Sequence, residues 1–337
     1  MPEWMTYSAP GEPKADNHRL PLPPPPPWRV FGPAPETTVP DVEWPPAAHD
    51  DAGHAYQADD EVARKVTAAM YLRRPLLVTG KPGVGKSSLA HSIARELRLG
   101  PVLHWPINSR STLREGLYRY DAIGRLQEAR LAETRRVQGR GRGAADPGIG
   151  RFVRLGPLGT ALLPSRRPRV LLIDEFDKSD IDLPNDLLDV FETGSFEIEE
   201  LSRLPENQSR IEVMTMDRGV PASVERGLVR CHEFPVVVLT SNNEREFPAA
   251  FKRRCLPVDI EPPNAEALEQ IIRAHLGEDA IEAGEELIEE FHERAGKGDL
   301  ATDQLLNAIH LLSEGLVPGG WSAEDLADAL LPHLGSR

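Results

Sequence analysis

The sequence predicts an α/β domain, a parallel sheet covered by helices on both faces, followed by an all-helical domain. Three observations predict it. Short apolar runs at Leu76–Val78, Val102–Trp105, Val170–Ile173 and Val236–Thr240 are separated by helical stretches such as Leu183–Glu192. Strands without polar alternation are those buried on both faces. The first run passes through a glycine loop straight into a helix, "LLVTGKPGVGKSSLAHSIARELRLG". After Pro263 the pattern turns helical and acidic, at Ala265–Leu276, Asp279–Ala295, Thr302–Leu311 and Ser322–Leu334.

Element by element, the chain opens with a proline-rich arm, residues 1–55. Nearly half of the 32 prolines precede Asp50, including "LPLPPPPPWRVFGPAP". Fixed φ angles and missing N–H donors disfavour helix and central strand there. The composition reads as an extended linker; the competing readings are a polyproline II ligand or a strap packing Trp28 and Phe31 onto a neighbour. A core spans 56–262. Val62, Val66, Ala69 and Met70 recur at helical spacing before Pro75, and a second helix covers Ser87–Leu97, with Leu89, Ile93 and Leu97 on one stripe and Gly100 ending it. Two insertions interrupt the plan. Gln138–Arg151, carrying Arg140 and Arg142, reads as a solvated glycine–arginine loop, and "SFEIEELSRLPENQSRIEVMTM" reads as a hairpin about its Pro-Glu-Asn turn. Residues 263–337 form the helical domain.

Bulk composition excludes several classes. With 337 residues and a net charge of -14, the chain has a real core but no general affinity for nucleic acid or anionic membrane. Cys231 and Cys255 are too few for a disulfide framework and too distant for a CxxC pair. No basic n-region precedes an apolar stretch, and no run of eighteen apolar residues occurs, so a cytosolic location without membrane insertion is expected.

The chemistry concentrates at three places. Gly80–Ser87 fits G-x-x-x-x-G-K-[ST], following a strand and opening a helix. In such a P-loop the residues Gly80, Lys81, Pro82, Gly83, Val84, Gly85 and the helix-opening Lys86, Ser87 and Ser88 surround phosphates, all but Pro82 with a backbone N–H to offer. Lys86 meets the β and γ oxygens and the Ser87 hydroxyl ligates Mg²⁺. "RVLLIDEFDK" delivers Asp174 and Glu175 to a buried strand end, Asp174 for the magnesium shell and Glu175 to polarise an attacking water. "VVVLTSNNEREFPAAFKRRC" ends a further strand at Thr240 and presents Asn242, an amide able to orient water; Arg253 and Arg254 come next, as a solvated helix end or as a finger for a neighbour's site.

In this order, the residues resemble the AAA+ ATPases from Tyr56 to about Leu334. The stretches "RRPLLVTGKPGVGKSSLA", "LLIDEFDKSDIDLPNDLLDVFETGSFEI" and "LTSNNEREFPAAFKRRC" resemble the MoxR branch. The resemblance implies a five-stranded parallel sheet, a helical lid, a hexameric ring with ATP and Mg²⁺ at subunit interfaces, and a chaperone-like activity on a separate protein, a von Willebrand factor A domain protein being the type of partner. It makes Asn242 sensor 1 and Arg254 the arginine finger, with Arg253 in reserve. It also implies two projecting insertions, at Phe196–Met216 and Gly148–Leu163. ATP is implied by the resemblance, with Tyr56 and Glu61 near the adenine edge.

One departure stands out: where many lids supply a sensor 2 arginine, "LATDQLLNAI" offers Asp303 and Gln304. A nucleotide-gated scaffold with little hydrolysis is one alternative, and a nucleic-acid-directed motor, encouraged by Arg140 and Arg142, is another. Tyr118, Tyr120 and Arg125 read as aromatic packing of a helix on the sheet or as contacts to a substrate or ring neighbour. His91 and His104 read as ordinary helix and strand residues.

Overall fold

In a computed structural model, residues 5–8, 23–34, 53, 55–137, 148–295, 301–316, 321 and 323–330 are described. Arg140 and Arg142 of the glycine–arginine insertion lie outside the described residues.

The central sheet has five strands: β1 (Leu76–Gly80), β2 (Leu103–Pro106), β3 (Val170–Asp174), β4 (Val236–Ser241) and β5 (Leu256–Ile260). All pairings are parallel, in the order β5-β1-β4-β3-β2. Alternate residues serve opposite faces, as the two-residue period of a strand requires. On β3, Val170 and Leu172 join Val66, Leu89 and Ile93 on one side, and Leu171 and Ile173 join Leu158, Leu187 and Phe191 on the other. Both faces are therefore dry, which is why these runs lack polar alternation. The fifth strand carries no such run. It holds Pro257 and Asp259 and, among the described residues, pairs only with β1, at a sheet edge where a missing N–H and a polar side chain are tolerated.

Two of the helices that cover the sheet begin where local chemistry directs. Helix Asp60–Leu72 starts where Asp59 accepts a hydrogen bond from the Val62 N–H at 2.7 Å, satisfying one of the free amides of the first turn. Helix Lys86–Glu96 comes directly after the glycine loop, and its stripe of Leu89, Ala90, Ile93 and Ala94 is wholly buried.

A second sheet has six short strands, two of them from the Ser195–Met216 stretch, ordered Tyr118–Tyr120, Val153–Leu155, Arg210–Met214, Pro221–Glu225, Leu228–Arg230 and Ser195–Glu197. The hairpin expected across Ser195–Met216 is not formed. Ser195–Glu197 pairs with Leu228–Arg230 instead, while Arg210–Met214 pairs with Pro221–Glu225. A short helix, Glu199–Ser202, buries Leu201 between the two apolar–polar segments, so their alternation belongs to one sheet but not to one hairpin. Tyr118 and Tyr120 lie on a strand of this sheet, not on a helix. The Tyr118 hydroxyl donates to Glu200 at 2.9 Å and its ring stacks on Phe196, while Arg125 donates to the Tyr120 hydroxyl at 3.0 Å.

Helices Ala265–Leu276, Asp279–Ala295, Thr302–Ser313 and Ala323–Leu330 share a separate apolar cluster centred on Leu268, Leu287, Leu305 and Ile309. Among the described residues no helix is long and apolar enough to cross a membrane.

The described parts of the proline-rich arm do not behave as a linker. Tyr7 is fully buried against the first two helices, with its hydroxyl 2.8 Å from that of Ser92, and the Ser8 amide and hydroxyl both donate to Glu96. Pro27–Arg29 forms one 3₁₀ turn, which prolines at the first positions permit because the missing N–H groups are unpaired there anyway. Arg29 and Phe31 pack inward on the chain's own core while Trp28 faces out, 78% exposed. Packing predicts unequal sensitivities: Tyr7→Ala should cost about 3–5 kcal/mol in denaturant unfolding, because it opens a cavity and strands the Ser92 hydroxyl. Trp28→Ala should stay within about 0.5 kcal/mol. Equal, small effects at both positions would contradict the docking.

Candidate functional site

Parallel pairing sends the polar ends of β1, β3 and β4 to one edge of the sheet, and the site is built there. The loop Gly80–Ser87 leaves β1 and turns into helix Lys86–Glu96. Lys86 is 8% exposed, and its Nζ donates to the carbonyls of Gly80 and Lys81 at 2.8 and 2.7 Å. Burial pulls this ammonium below its ordinary pKa, against the raising charges of Asp177, Asp174 and Glu175. It is a cation held by loop carbonyls, and an anion entering the loop would displace those acceptors to their mutual gain.

Asp174, at the end of β3, is the hub. Its Oδ1 accepts from the hydroxyls of Ser87 at 2.7 Å and Thr240 at 2.5 Å, and its Oδ2 is 3.4 Å from Nε2 of His104 on β2. Burial alone would raise its pKa, but the hydrogen bonds from His104, Thr240 and Ser87 outweigh it and hold the carboxyl at about 2. The group is a carboxylate throughout the neutral range.

Glu175 takes a left-handed conformation at φ 57°, uncommon for a residue with a β-carbon. Its N–H donates to Thr240 Oγ1 at 2.9 Å, and its exposed carboxylate pairs with Lys178 Nζ at 2.7 Å. Such an ion pair is half in solvent and easily exchanged for another partner. Asn242 is positioned through its backbone. Asp177, 5% exposed, accepts from the N–H groups of Asn242 and Glu244 at 2.8 and 3.2 Å, so the turn after β4 is tied to the turn after β3. The other oxygen of Asp177 is buried with no partner among the described residues.

A cavity of about 540 Å³ opens beside the loop, between the core and the helical region. Tyr56, Gly83, Val84, Gly85 and Ser88 line one wall, with Thr302, Asp303 and Leu306 opposite. Gly83 has φ 74°, and a β-carbon there would overlap Ala301, so the loop touches the foot of helix Thr302–Ser313 directly. Gln304 is spent at that foot, accepting from the Ala301 N–H at 3.0 Å, while Asp303 faces the cavity. Glu61 does not line it. It is exposed on the first helix and pairs with Lys65 at 2.7 Å.

The arginine pair stands elsewhere. Arg253 and Arg254 precede β5, which runs parallel to β1, so five strand residues, about 15 Å, separate them from the end of the sheet that carries the loop. Arg254 donates to Glu192 Oε1 at 2.6 Å and to the Ala250 carbonyl at 3.1 Å; Arg253 is exposed.

The donor set fits a magnesium nucleotide. Among the described residues no three His, Cys, Asp or Glu side chains gather as a metal cage. One ionised carboxylate and one hydroxyl on the same hydrogen bond, Asp174 and Ser87, are the oxygen donors that Mg²⁺ takes when phosphates and water complete its shell.

Three contributors escape a reading of the sequence. Thr240 lies opposite Asp174 only when the register is known, with Val236 against Val170 and Leu239 against Ile173. His104 similarly gains its role from the adjacency of β2 and β3. Asp177 is legible in principle, as an acid one residue beyond a phenylalanine in "DEFDK", but its partners lie 65 and 67 residues away. The double role of Thr240 generates a prediction. Thr240→Val keeps the volume but removes a donor from Asp174 and the acceptor of the Glu175 N–H, at a cost of about 1–3 kcal/mol in unfolding experiments. No loss of stability would show that Thr240 is not the strut between the two acids.

No curated protein matches the chain. A family model described as AAA domain (dynein-related subfamily) matches residues 75–255, more than half of its length and all five strands of the sheet except the last. The matched span holds the phosphate loop, the Asp174–Glu175 turn, Asn242 and both arginines. The chain belongs to this AAA domain family, whose members are in general ATPases.

Proposed function

We propose that this chain binds ATP with Mg²⁺ in the cavity beside Gly80–Ser87 and hydrolyses it at the interface of a ring, to remodel or activate a separate protein. The reading is the MoxR-like one, with a hexamer as the ring and a von Willebrand factor A domain protein as the type of client. The phosphate-binding work falls to the loop amides and Lys86, and Ser87 and Asp174 would hold the metal. Bound Mg²⁺ would neutralise charge on the phosphates. Glu175 orients and deprotonates the attacking water once it leaves Lys178, and Asn242 holds that water from the other side.

One observation carries the ring. Arg253 and Arg254 stand at the far end of the sheet from their own loop, so neither can reach the phosphates that its own chain binds. A second copy stacked beside the first has its loop end available to them. An arginine supplied this way spreads the charge of the transferring phosphoryl group, an effect worth ~10³–10⁵ in rate where a finger acts in trans.

A nucleotide-gated scaffold is favoured by a different observation: Glu175 is paired with Lys178, and an acid, Asp303, faces the cavity where a cation would strengthen phosphate binding. Turnover decides between the readings. We expect activity per subunit to rise with protein concentration, Glu175→Gln to keep nucleotide binding while slowing hydrolysis ~10²–10⁴-fold, and Arg254→Ala to lose the concentration dependence. Concentration-independent turnover that survives Arg254→Ala would sink the ring. Binding without turnover at any concentration would establish the scaffold.

A further inference from the structure

The N-terminal strap reaches the base of the arginine pair. Residues 23–34 cross the end of helix Leu183–Thr193 and are fastened along their length. Arg73 donates to the Pro23 carbonyl at 2.9 Å, and His232 Nδ1 lies 2.9 Å from the Gly32 carbonyl. Phe31 stacks on Phe234 with ring centroids 5.2 Å apart, in the space that a β-carbon on Gly194 would need. Gly194 also ends the preceding helix at φ 60°, so both its conformation and its missing side chain admit the strap.

Between these fastenings lies Arg29. Its side chain is 6% exposed, donates to the Phe191 carbonyl at 2.9 Å and to Glu192 Oε2 at 3.3 Å, and lies beside the stacked pair of rings, 5.7 Å from the centroids of both Phe31 and Phe234. Burial lowers the Arg29 pKa, and the Glu192 charge opposes that shift. Glu192 spends its other oxygen on Arg254. One carboxylate thus joins a buried cation of the strap to the half-exposed cation of the pair. With Arg29 held against the two rings and bonded to a backbone carbonyl, Glu192 has a fixed anchor, and Arg254 is held at Nε by Glu192 and at Nη1 by the Ala250 carbonyl.

We propose that Arg29 is a positioning residue for hydrolysis at the neighbouring subunit, acting through Glu192 on Arg254, and that the strap is therefore part of the catalytic interface between copies of this chain. The inference rests on Arg254 acting in trans. A flexible arginine must be ordered at the moment of reaction, and displacing a catalytic group by 1 Å can cost on the order of 10²-fold. A pre-oriented one avoids that loss.

Mixed rings test this with the full chain. Lys86→Ala subunits cannot hold phosphates but can donate Arg254, and Arg254→Ala subunits can hold phosphates but lack the donor. Their mixture should regain turnover that neither has alone. A Lys86→Ala, Arg29→Met donor should restore at least about 10-fold less, an Arg29→Lys donor should recover part of the difference, and Arg29→Met alone should bind a fluorescent ATP analogue as wild type does. Equal restoration by the Arg29→Met donor overturns the inference while leaving the trans reading intact. Full turnover by Arg254→Ala alone overturns both. If Arg29→Met does not assemble on a sizing column, a Glu192→Gln donor of unchanged volume decides, since undiminished restoration there also overturns it.

Discussion

The site depends on one carboxylate. Asp174 stands where three separately encoded segments converge, the helix after the phosphate loop, β4 and β2, and each contributes a donor. That convergence is possible only because the strands are parallel, so that every strand ends on the same side. An antiparallel neighbour would have brought a strand start, and a different loop, to the same place. The hydroxyl of Thr240 gives the arrangement its rigidity, because it donates to Asp174 and accepts from the next residue's backbone at once. Asp174 and Glu175 are consecutive residues in opposite settings, one half-buried and ionised, the other exposed and paired with Lys178. The left-handed backbone at Glu175 separates them.

Parallel order has a second consequence. Residues at the start of a strand lie far from those at its end, and Arg253 and Arg254 lead into β5 while the phosphate loop leaves β1. The sheet thus acts as a spacer about 15 Å long between the nucleotide-holding end and the arginine end. In the proposed ring the loop end of one copy would meet the arginine end of the next, and a heterologous contact of that kind closes when the rotation per subunit divides a full turn.

Much of this is legible in the amino-acid sequence itself. The four dry strands, the two sheet-covering helices and three of the C-terminal helices are marked by periodicity and caps, and their limits agree with the fold to within a few residues. The glycine loop needed only spacing and flanks. The features that escaped have a common cause, since they depend on register or on contacts between distant segments. β5 is an edge strand carrying a proline and an aspartate, so its sequence lacks the apolar run that marks its neighbours. The second sheet takes its strands out of chain order, pairing Ser195–Glu197 with Leu228–Arg230, and local alternation carries no information about partner. The arm's prolines describe its backbone well but say nothing of Tyr7, Arg29 and Phe31, three side chains whose burial is decided by pockets on the core.

The contact of Gly83 with Ala301 has a mechanical meaning. Loop and helix meet there with only the Ala301 methyl between them, and the helix that starts at Thr302 is a stiff rod about 18 Å long. A guest that rearranged the cradle around its charges would press on the near end of that rod, and its far end would sweep a wider arc. On the proposed function, the presence or loss of a phosphate would be passed to the tilt of the helical bundle by steric pressure at this one contact, without any charged relay.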